Sequence, residues 1–128
     1  MQADSGLRIG IDLVRISAIA DSVAAFGDRF LRRVFTPPEV AYAMAAPALS
    51  ASRLAARFAA KEATRKALRI DGFGWRDIEV VRLTDGACAI ELHGRVRVLR
   101  GAGYSFALSM SHEGDYATAV VLADRNDR

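Results

Sequence analysis

The sequence has little of what disulfides and thiolate metal sites require. Cys88 is the single cysteine of 128 residues, which excludes an internal disulfide and a multi-cysteine zinc site. No apolar run approaches 18 residues, the length that predicts a membrane-spanning helix. The segment before Leu7 contains an acidic residue and no basic run, so it does not fit a secretory signal. We therefore expect a cytoplasmic protein with no membrane partner.

The excess of positive over negative charge is also small. The formal net charge is +3, and most of the surplus is arginine, the side chain suited to forked recognition of carboxylate and phosphate. An acidic protein, a phosphorylated ligand or nucleic acid would fit. We expect no nucleic-acid partner, because the charge is spread over several helices without an aromatic and basic strip. The length predicts one domain, residues 1–128.

The hydrophobic pattern predicts a strand first and helices next. Residues 7–16 alternate as a strand does. The core side is expected to hold Leu7, Ile9, Ile11 and Leu13, and the other side Arg8, Gly10 and Asp12. Helical patterns follow at 13–25 and 30–35. Thr36 begins a third helix that ends near Ala46, with Glu39 completing a capping box.

Strand patterns dominate the second half of the chain. Strands are predicted at 78–83, 87–92, 104–110 and 116–122, with an Asp85-Gly86 turn joining the first pair. Residues 94–103 fit a helix or a strand, with helix favoured; 111–115 form a turn and 123–128 a polar tail. This order predicts an α+β fold with helices packed on a mostly antiparallel sheet.

A long central helix links the two halves. From Arg53 to Leu68 nearly every residue is a strong helix former, and no Gly or Pro occurs before Gly72. At ~100° per residue its residues form three rows. The thin apolar face holds Leu54, Phe58 and the alanines at 55, 59, 63 and 67, and the basic row holds Arg57, Lys61 and Arg65. Glu62 and Lys66 lie between Phe58 and the alanines.

Two interpretations of Glu62 and Lys66 are open. An arbitrary i,i+4 pair of this kind stabilises a helix by a few tenths of a kcal/mol. However, a charge inside an apolar face must be paired or must bind a ligand, because an isolated one costs several kcal/mol. We interpret Glu62 as a metal or substrate ligand and Lys66 as a phosphate contact.

Other residues could complete such a site. Asp12, at the end of its strand, could be a second acidic ligand, a solvated residue or a cap. Two carboxylates beside basic residues suit Mg²⁺, which takes one or two carboxylates together with phosphate oxygens and waters. His112, in a predicted Ser-x-Ser-His turn, is a candidate phosphate contact, whereas His93 is treated as an ordinary residue. Walker and Gly-x-Ser-x-Gly motifs are absent.

Taken together, these motifs resemble a known family. They are Gly10-Ile11-Asp12-Leu13-Val14, Thr36-x-x-Glu39, Arg57-Phe58-Ala59-Ala60-Lys61-Glu62-Ala63 with Lys66-Ala67, Trp75-x-Asp77-Ile78-Glu79-Val80, and Ser109-x-Ser111-His112 with Tyr116-Ala117. In order and spacing they resemble the holo-[acyl carrier protein] synthases, the short type of 4′-phosphopantetheinyl transferase. The resemblance covers nearly the whole chain.

This resemblance implies a reaction and a site. Such enzymes move the 4′-phosphopantetheine arm of coenzyme A onto a serine of an acyl carrier protein and release adenosine 3′,5′-bisphosphate. By motif, Asp12 and Glu62 would hold Mg²⁺ with the pyrophosphate, and Lys66 would steady the leaving group. Arg57, Lys61 and His112 would be further coenzyme A contacts, with His112 at the 3′-phosphate. The family also implies a homotrimer with sites between subunits.

One departure concerns the carrier. In typical members the first helix is rich in basic residues that dock the acidic carrier protein, whereas here it offers Arg15 opposed by Asp21. The nearest basic cluster is Arg29, Arg32 and Arg33, which we predict to take over the docking. The carrier could belong to fatty acid synthesis or to a polyketide or other secondary pathway. A non-catalytic module that binds a carrier protein or coenzyme A is the alternative hypothesis.

Overall fold

The computed structural model describes residues 6–98 and 103–125 and confirms the α+β class. The strands are β1 Leu7–Arg15, β2 Ile78–Arg82, β3 Cys88–Leu92, β4 Tyr104–Glu113 and β5 Tyr116–Arg125. The helices are α1 Ile16–Phe26, α2 Asp28–Val34, α3 Pro37–Met44 and α4 Ser50–Leu68, and short 3₁₀ turns occur at Pro47–Leu49, Trp75–Asp77 and Gly94–Val96.

The strands form two antiparallel sheets. The larger has the order β1-β5-β4, and β2 and β3 form a separate hairpin around the predicted Asp85-Gly86 turn. Helix α4 lies across the larger sheet, where its alanines meet the small inward residues of β5. Within the described ranges, no helix has the length and apolar character needed to cross a bilayer.

The two faces of β1 are the reverse of the prediction. Leu7, Ile9, Ile11 and Leu13 face outward and are 53–65% exposed. Gly10 and Val14 are buried on the α4 side. Small residues face inward because α4 approaches the strand too closely for large side chains to fit between them. Alternation therefore located the strand, but it did not identify which face the chain itself covers.

Gly10 permits this close approach. A Cβ added at Gly10 would lie 1.8 Å from the Ala63 carbonyl oxygen and 2.9 Å from the Ala67 amide nitrogen. Both atoms belong to the backbone of α4, and both alanine side chains are buried. The alanine face predicted for the helix therefore packs on β1 and β5 of the same chain.

Several predicted boundaries change in the second half. His112 lies within β4 and not in a turn, because the strand continues to Glu113 before turning at Gly114 and Asp115. β5 extends to Arg125 into the predicted polar tail, and positions 126–128 lie outside the described residues. Of the segment 94–103, Gly94–Val96 form a 3₁₀ turn, whereas positions 99–102 also lie outside the described residues.

Candidate active site

Asp12 and Lys66 come together at the interface of β1 and α4. The Lys66 ammonium donates to Asp12 Oδ1 and to the Ile11 carbonyl, both at 3.0 Å. The Asp12 side chain is 16% exposed and that of Lys66 is 44% exposed. Asp12 does not cap α1, since that role falls to Asp115, which accepts from the Ser17 amide at 2.9 Å. The pair is therefore open to solvent on its lysine side.

Glu62 lies one turn before Lys66 on the same row of α4. Its Oε2 accepts from Arg65 Nη2 at 3.1 Å, and its side chain is 17% exposed. Residues four apart on a helix are neighbours, with about 5–6 Å between their Cβ atoms. Glu62 thus lies beside Lys66 on α4, and the Lys66 ammonium binds Asp12. The structure brings together the three residues that the sequence pattern singled out.

The donor set suits a hard divalent cation. Asp12 Oδ2 and Glu62 Oε1 have no hydrogen-bond partner among the described residues, while the other oxygen of each carboxylate faces a basic side chain. Two free carboxylate oxygens, partly buried and beside an ammonium, match the protein share of a Mg²⁺ shell completed by phosphate and water.

Lys61 departs from its predicted role. Its side chain has no exposed surface, and its ammonium donates to Glu39 Oε1 at 2.7 Å and to the carbonyls of Trp75 and Ile78. Burial lowers the pKa of Lys61, and the Glu39 carboxylate opposes that shift. All three ammonium protons are engaged inside the protein. This geometry argues against a contact between Lys61 and a ligand. Lys61 instead joins α4 to α3 and β2 through hydrogen bonds.

Arg57 and His112 line one cavity. Its volume is about 280 Å³, and the wall also includes Tyr42, Arg53 and Ser111. His112 is exposed on β4, whereas Arg57 is only 4% exposed. Arg57 belongs to α4, and its guanidinium lies over the Tyr42 ring of α3 in the interior of the protein. The sequence had placed Arg57 in a basic row opposite the apolar face of the helix. Both residues remain available to a ligand that enters this cavity.

The second histidine has a structural role. His93 Nε2 lies 2.8 Å from Glu79 Oε1, and Glu79 Oε2 accepts from the Thr36 hydroxyl. Burial by itself raises the pKa of Glu79, but the bonds from Thr36 and His93 outweigh it, so the pKa lies below its ordinary value. Glu91 completes a group of three side chains that could also hold a metal ion. Since His93 and Thr36 each bind one oxygen of Glu79, this carboxylate has its hydrogen-bond partners without a metal ion.

The predicted docking arginines border a larger groove. Arg29, Arg32 and Arg33 line a cavity of about 770 Å³ together with Phe26, Phe30, Val34, Phe58 and Trp75. The Phe58 and Trp75 rings are 5.1 Å apart between centroids. Phe58 lies one turn before Glu62 on α4, so the groove adjoins the acidic site.

Sequence reasoning missed three residues near the Arg57 cavity. Tyr42, Arg53 and Arg82 come from α3, α4 and β2, and the guanidinium groups of Arg53 and Arg82 lie, like that of Arg57, over the Tyr42 ring. Arg53 was taken only as the start of the central helix. No local signal marks this group, because its members are 11 to 40 positions apart and belong to no common periodicity.

Comparison with known proteins identifies the class. The model of the 4′-phosphopantetheinyl transferase superfamily matches residues 8–121. The chain therefore belongs to this superfamily, as its motifs predicted.

Its relatives narrow the identification. The holo-[acyl-carrier-protein] synthase of Gloeobacter violaceus is 46% identical over 118 residues, covering 89% of each chain. That of Moorella thermoacetica is 47% identical over 124 residues, covering 92% of this chain and 94% of the relative.

Solved structures agree with these relatives. The Chronobacterium ammoniagenes ACPS–CoA complex superposes with a TM-score of 0.82 at 34% identity, covering 94% of this chain and 98% of the other. The Helicobacter pylori holo-[acyl-carrier-protein] synthase in complex with coenzyme A gives 0.79 at 31% identity, covering 91% and 99%. More than nine-tenths of this chain therefore shares its fold with enzymes whose structures contain coenzyme A.

Proposed function

We infer that this chain is a holo-[acyl-carrier-protein] synthase, which transfers 4′-phosphopantetheine from coenzyme A to a serine hydroxyl of an apo carrier protein. The observation that carries this conclusion is the Asp12–Lys66 contact beside Glu62, in a fold that more than nine-tenths of the chain shares with synthases that bind coenzyme A. We propose that residues 1–128 form a single domain and that the protein works in the cytoplasm.

The reaction needs positioning and charge neutralisation more than covalent help from the protein. The serine oxygen attacks the phosphorus that bears the pantetheine arm, and adenosine 3′,5′-bisphosphate leaves with the pyrophosphate bridging oxygen. We propose that Lys66 neutralises charge on that leaving group. Its ammonium is held by Asp12 and the Ile11 carbonyl, which fixes its position before substrate arrives.

Asp12 and Glu62 are the residues that would hold Mg²⁺. The support is that each carboxylate keeps one oxygen without a hydrogen-bond partner among the described residues, next to Lys66 on β1 and α4. Bound there, the cation would stabilise negative charge on the pyrophosphate. Arg57 and His112, which share a cavity, would contact the nucleotide phosphates.

The carrier would dock at the groove beside α2. Its floor is aromatic and its rim contains Arg29, Arg32 and Arg33, a combination that suits an acidic partner with an apolar contact. Because Phe58 adjoins Glu62 on α4, a carrier seated here would bring its serine near the acidic site. Helix α1 contains no basic residue, so we assign the electrostatic attraction to α2.

A homotrimer would cover the outward face of the larger sheet. Edge strand β1 exposes four large apolar residues in one row, and Leu122 on β5 is 37% exposed beside them. A contiguous apolar patch of this kind marks an interface, and an uncovered edge strand invites association. A second copy is the occupant that we propose, in agreement with the family pattern.

A transfer assay tests both the proposed reaction and the roles of Asp12 and Glu62. We expect mass spectrometry to detect the added pantetheine arm when the protein, coenzyme A and Mg²⁺ are incubated with a panel of apo carriers. Asp12→Asn and Glu62→Gln should each abolish transfer while circular dichroism stays unchanged, because each loses a cation ligand without loss of packing.

The control is Asp85→Asn, which alters an exposed carboxylate in the hairpin turn. Wild-type protein that binds coenzyme A but modifies no carrier would favour the non-catalytic alternative. Transfer within a few-fold of wild type in either Asp12→Asn or Glu62→Gln would reject that residue as a metal ligand.

A further inference from the structure

Two glutamates face each other across the β2–β3 hairpin. Glu79 and Glu91 are directly opposite in the antiparallel register. Residues opposite each other in such a pair project to the same face of the sheet, and like charges there are destabilising. His93 follows two positions after Glu91 and therefore shares that face. This arrangement requires positive charge between the two carboxylates.

The imidazole of His93 lies within reach of both glutamates. Its Nε2 is 2.8 Å from Glu79 Oε1 and 3.8 Å from Glu91 Oε1. These three atoms all lie within 4.8 Å of one another. Ligand atoms bound to Zn²⁺ at about 2.0–2.2 Å in a tetrahedral shell are separated by roughly 3.2–3.6 Å. Small movements of the side chains would therefore place all three atoms around one ion.

Two of the three side chains are already held in place. The Glu79 side chain is only 10% exposed, and its Oε2 accepts from the Thr36 hydroxyl, which leaves Oε1 directed at His93. The His93 amide donates to the Asp77 carbonyl at 2.7 Å, so the backbone of His93 is fixed beside β2. Metal-binding carboxylates are commonly oriented by a hydrogen bond to the oxygen that does not bind the ion.

The third side chain, Glu91, has no close partner for its charge. In the part of the chain that the structure describes, its nearest cationic group is His93 at 3.8 Å, beyond hydrogen-bond distance. The side chains of Glu91 and His93 are 52% and 40% exposed. The contact with His93 thus satisfies Glu79 and leaves the Glu91 carboxylate available to an ion that enters from solvent.

We propose that Glu79, Glu91 and His93 bind a divalent transition-metal ion, for which Zn²⁺ is the best match. An imidazole nitrogen favours Zn²⁺ over Mg²⁺, which prefers oxygen ligands alone. Three protein ligands leave a further position for water. The alternative is a protonated His93 that supplies the positive charge without a metal. None of the three residues is assigned to the transfer reaction, so the site does not depend on the proposed function.

Zinc binding is best measured in a chain that lacks the proposed magnesium ligands. Isothermal titration calorimetry with zinc chloride would use the tag-free full chain carrying Asp12→Asn and Glu62→Gln. We expect one Zn²⁺ per chain. Adding His93→Gln or Glu91→Gln should weaken zinc binding by at least about tenfold, since loss of a hydrogen bond that merely orients a ligand costs tenfold to a hundredfold.

Thermal unfolding gives a second measurement of the same site. Zinc should raise the unfolding midpoint of the chain that keeps all three ligands, because it binds the folded state. That rise should be absent after His93→Gln. A glutamine at this position can still donate to Glu79, and Glu91 is exposed, so both variants should fold; circular dichroism checks this.

The matched control is His112→Gln, which removes the other of the two histidines and should leave zinc affinity unchanged. An excess of Mg²⁺ should not displace the zinc. Absence of zinc binding, or equal affinity in the His93→Gln or Glu91→Gln variant, would overturn the proposal and leave a protonated His93 as the counter-charge. Displacement by Mg²⁺ would overturn the assignment to a transition metal.

Discussion

Two lysines of α4 carry the same charge in opposite surroundings. Lys61 is fully buried against Glu39, whereas the Lys66 side chain is 44% exposed above Asp12. Removing one member of a buried ion pair leaves the other charge uncompensated and costs about 3–5 kcal/mol. A pair that is open to solvent is worth at most ~1 kcal/mol. Substituting Lys61 should therefore mainly lower stability, whereas substituting Lys66 should mainly lower activity.

We expect Lys61→Met to lower the free energy of unfolding by about 3–5 kcal/mol, because Glu39 then remains buried without its cation. Lys66→Met should lower it by at most ~1 kcal/mol while abolishing transfer. Urea unfolding and the carrier assay on both variants measure the two effects. If Lys61→Met kept its stability and lost coenzyme A binding, Lys61 would be a ligand residue after all.

At the scale of elements, the contact of β1 with α4 positions the acidic site. β1 contributes Asp12 and α4 contributes Glu62 and Lys66, and Gly10 sets their separation. We expect Gly10→Ala to destabilise the protein by about 3 kcal/mol or more, at or above the upper end for overpacking. The new methyl group meets helix backbone, which cannot rotate away, so the helix must move.

Gly74→Ala is the matched control for this prediction. The three atoms nearest to a Cβ there all belong to the Asp77 side chain, the first 3.3 Å away, so the loss of stability should stay below about 1 kcal/mol. Denaturant unfolding of both variants provides the comparison. A Gly10→Ala protein as stable as wild type would show that β1 and α4 can separate without cost.

The local elements were predictable because their signals are local. Thr36 and Glu39 do form the capping contact, with the Thr36 amide 2.9 Å from Glu39 Oε1. The central helix and the β2–β3 hairpin also follow their sequence patterns. The Glu62–Lys66 row was recognisable because a charged pair within an apolar face is unusual.

What could not be predicted depends on distant partners. The burial of Lys61 requires Glu39, 22 positions earlier on another helix. The inward face of β1 requires knowledge that α4 covers it at backbone distance. Periodicity assigns residues to one face or another, but it does not say which face the chain covers. Only the packed fold distinguishes a self-covered face from one left for a partner.

At the scale of the whole molecule, the outward row on β1 predicts self-association. We expect light scattering to give three times the chain mass of 13.8 kDa. A double variant, Ile9→Glu with Leu13→Glu, should be monomeric, because it places charges in the apolar interface. Leu83→Glu, at an exposed leucine of the hairpin loop, should not change the assembly. Monomeric wild-type protein at micromolar concentration would contradict the trimer.

Carrier docking, like self-association, depends on the surface of the whole molecule, here on the three arginines of α2. Arg32 already pairs with Asp28 at 3.4 Å, whereas Arg29 and Arg33 have no carboxylate partner in the described part of the chain. We therefore expect the latter two to contribute more attraction. Replacing all three by Ala should raise the carrier KM at low salt by at most about a hundredfold, because each exposed charge pair contributes at most ~1 kcal/mol.

Salt dependence separates this electrostatic role from a structural one. Attraction between exposed charges is screened over about 8 Å at physiological ionic strength, so the KM values of wild type and triple variant should converge as salt rises. The KM for coenzyme A should change little, because its proposed contacts lie elsewhere. A triple variant at the exposed Arg69, Arg95 and Arg97 removes the same three charges and controls for loss of net charge. An unchanged carrier KM at low salt would exclude α2 and direct attention to Arg15 or to the apolar floor of the groove.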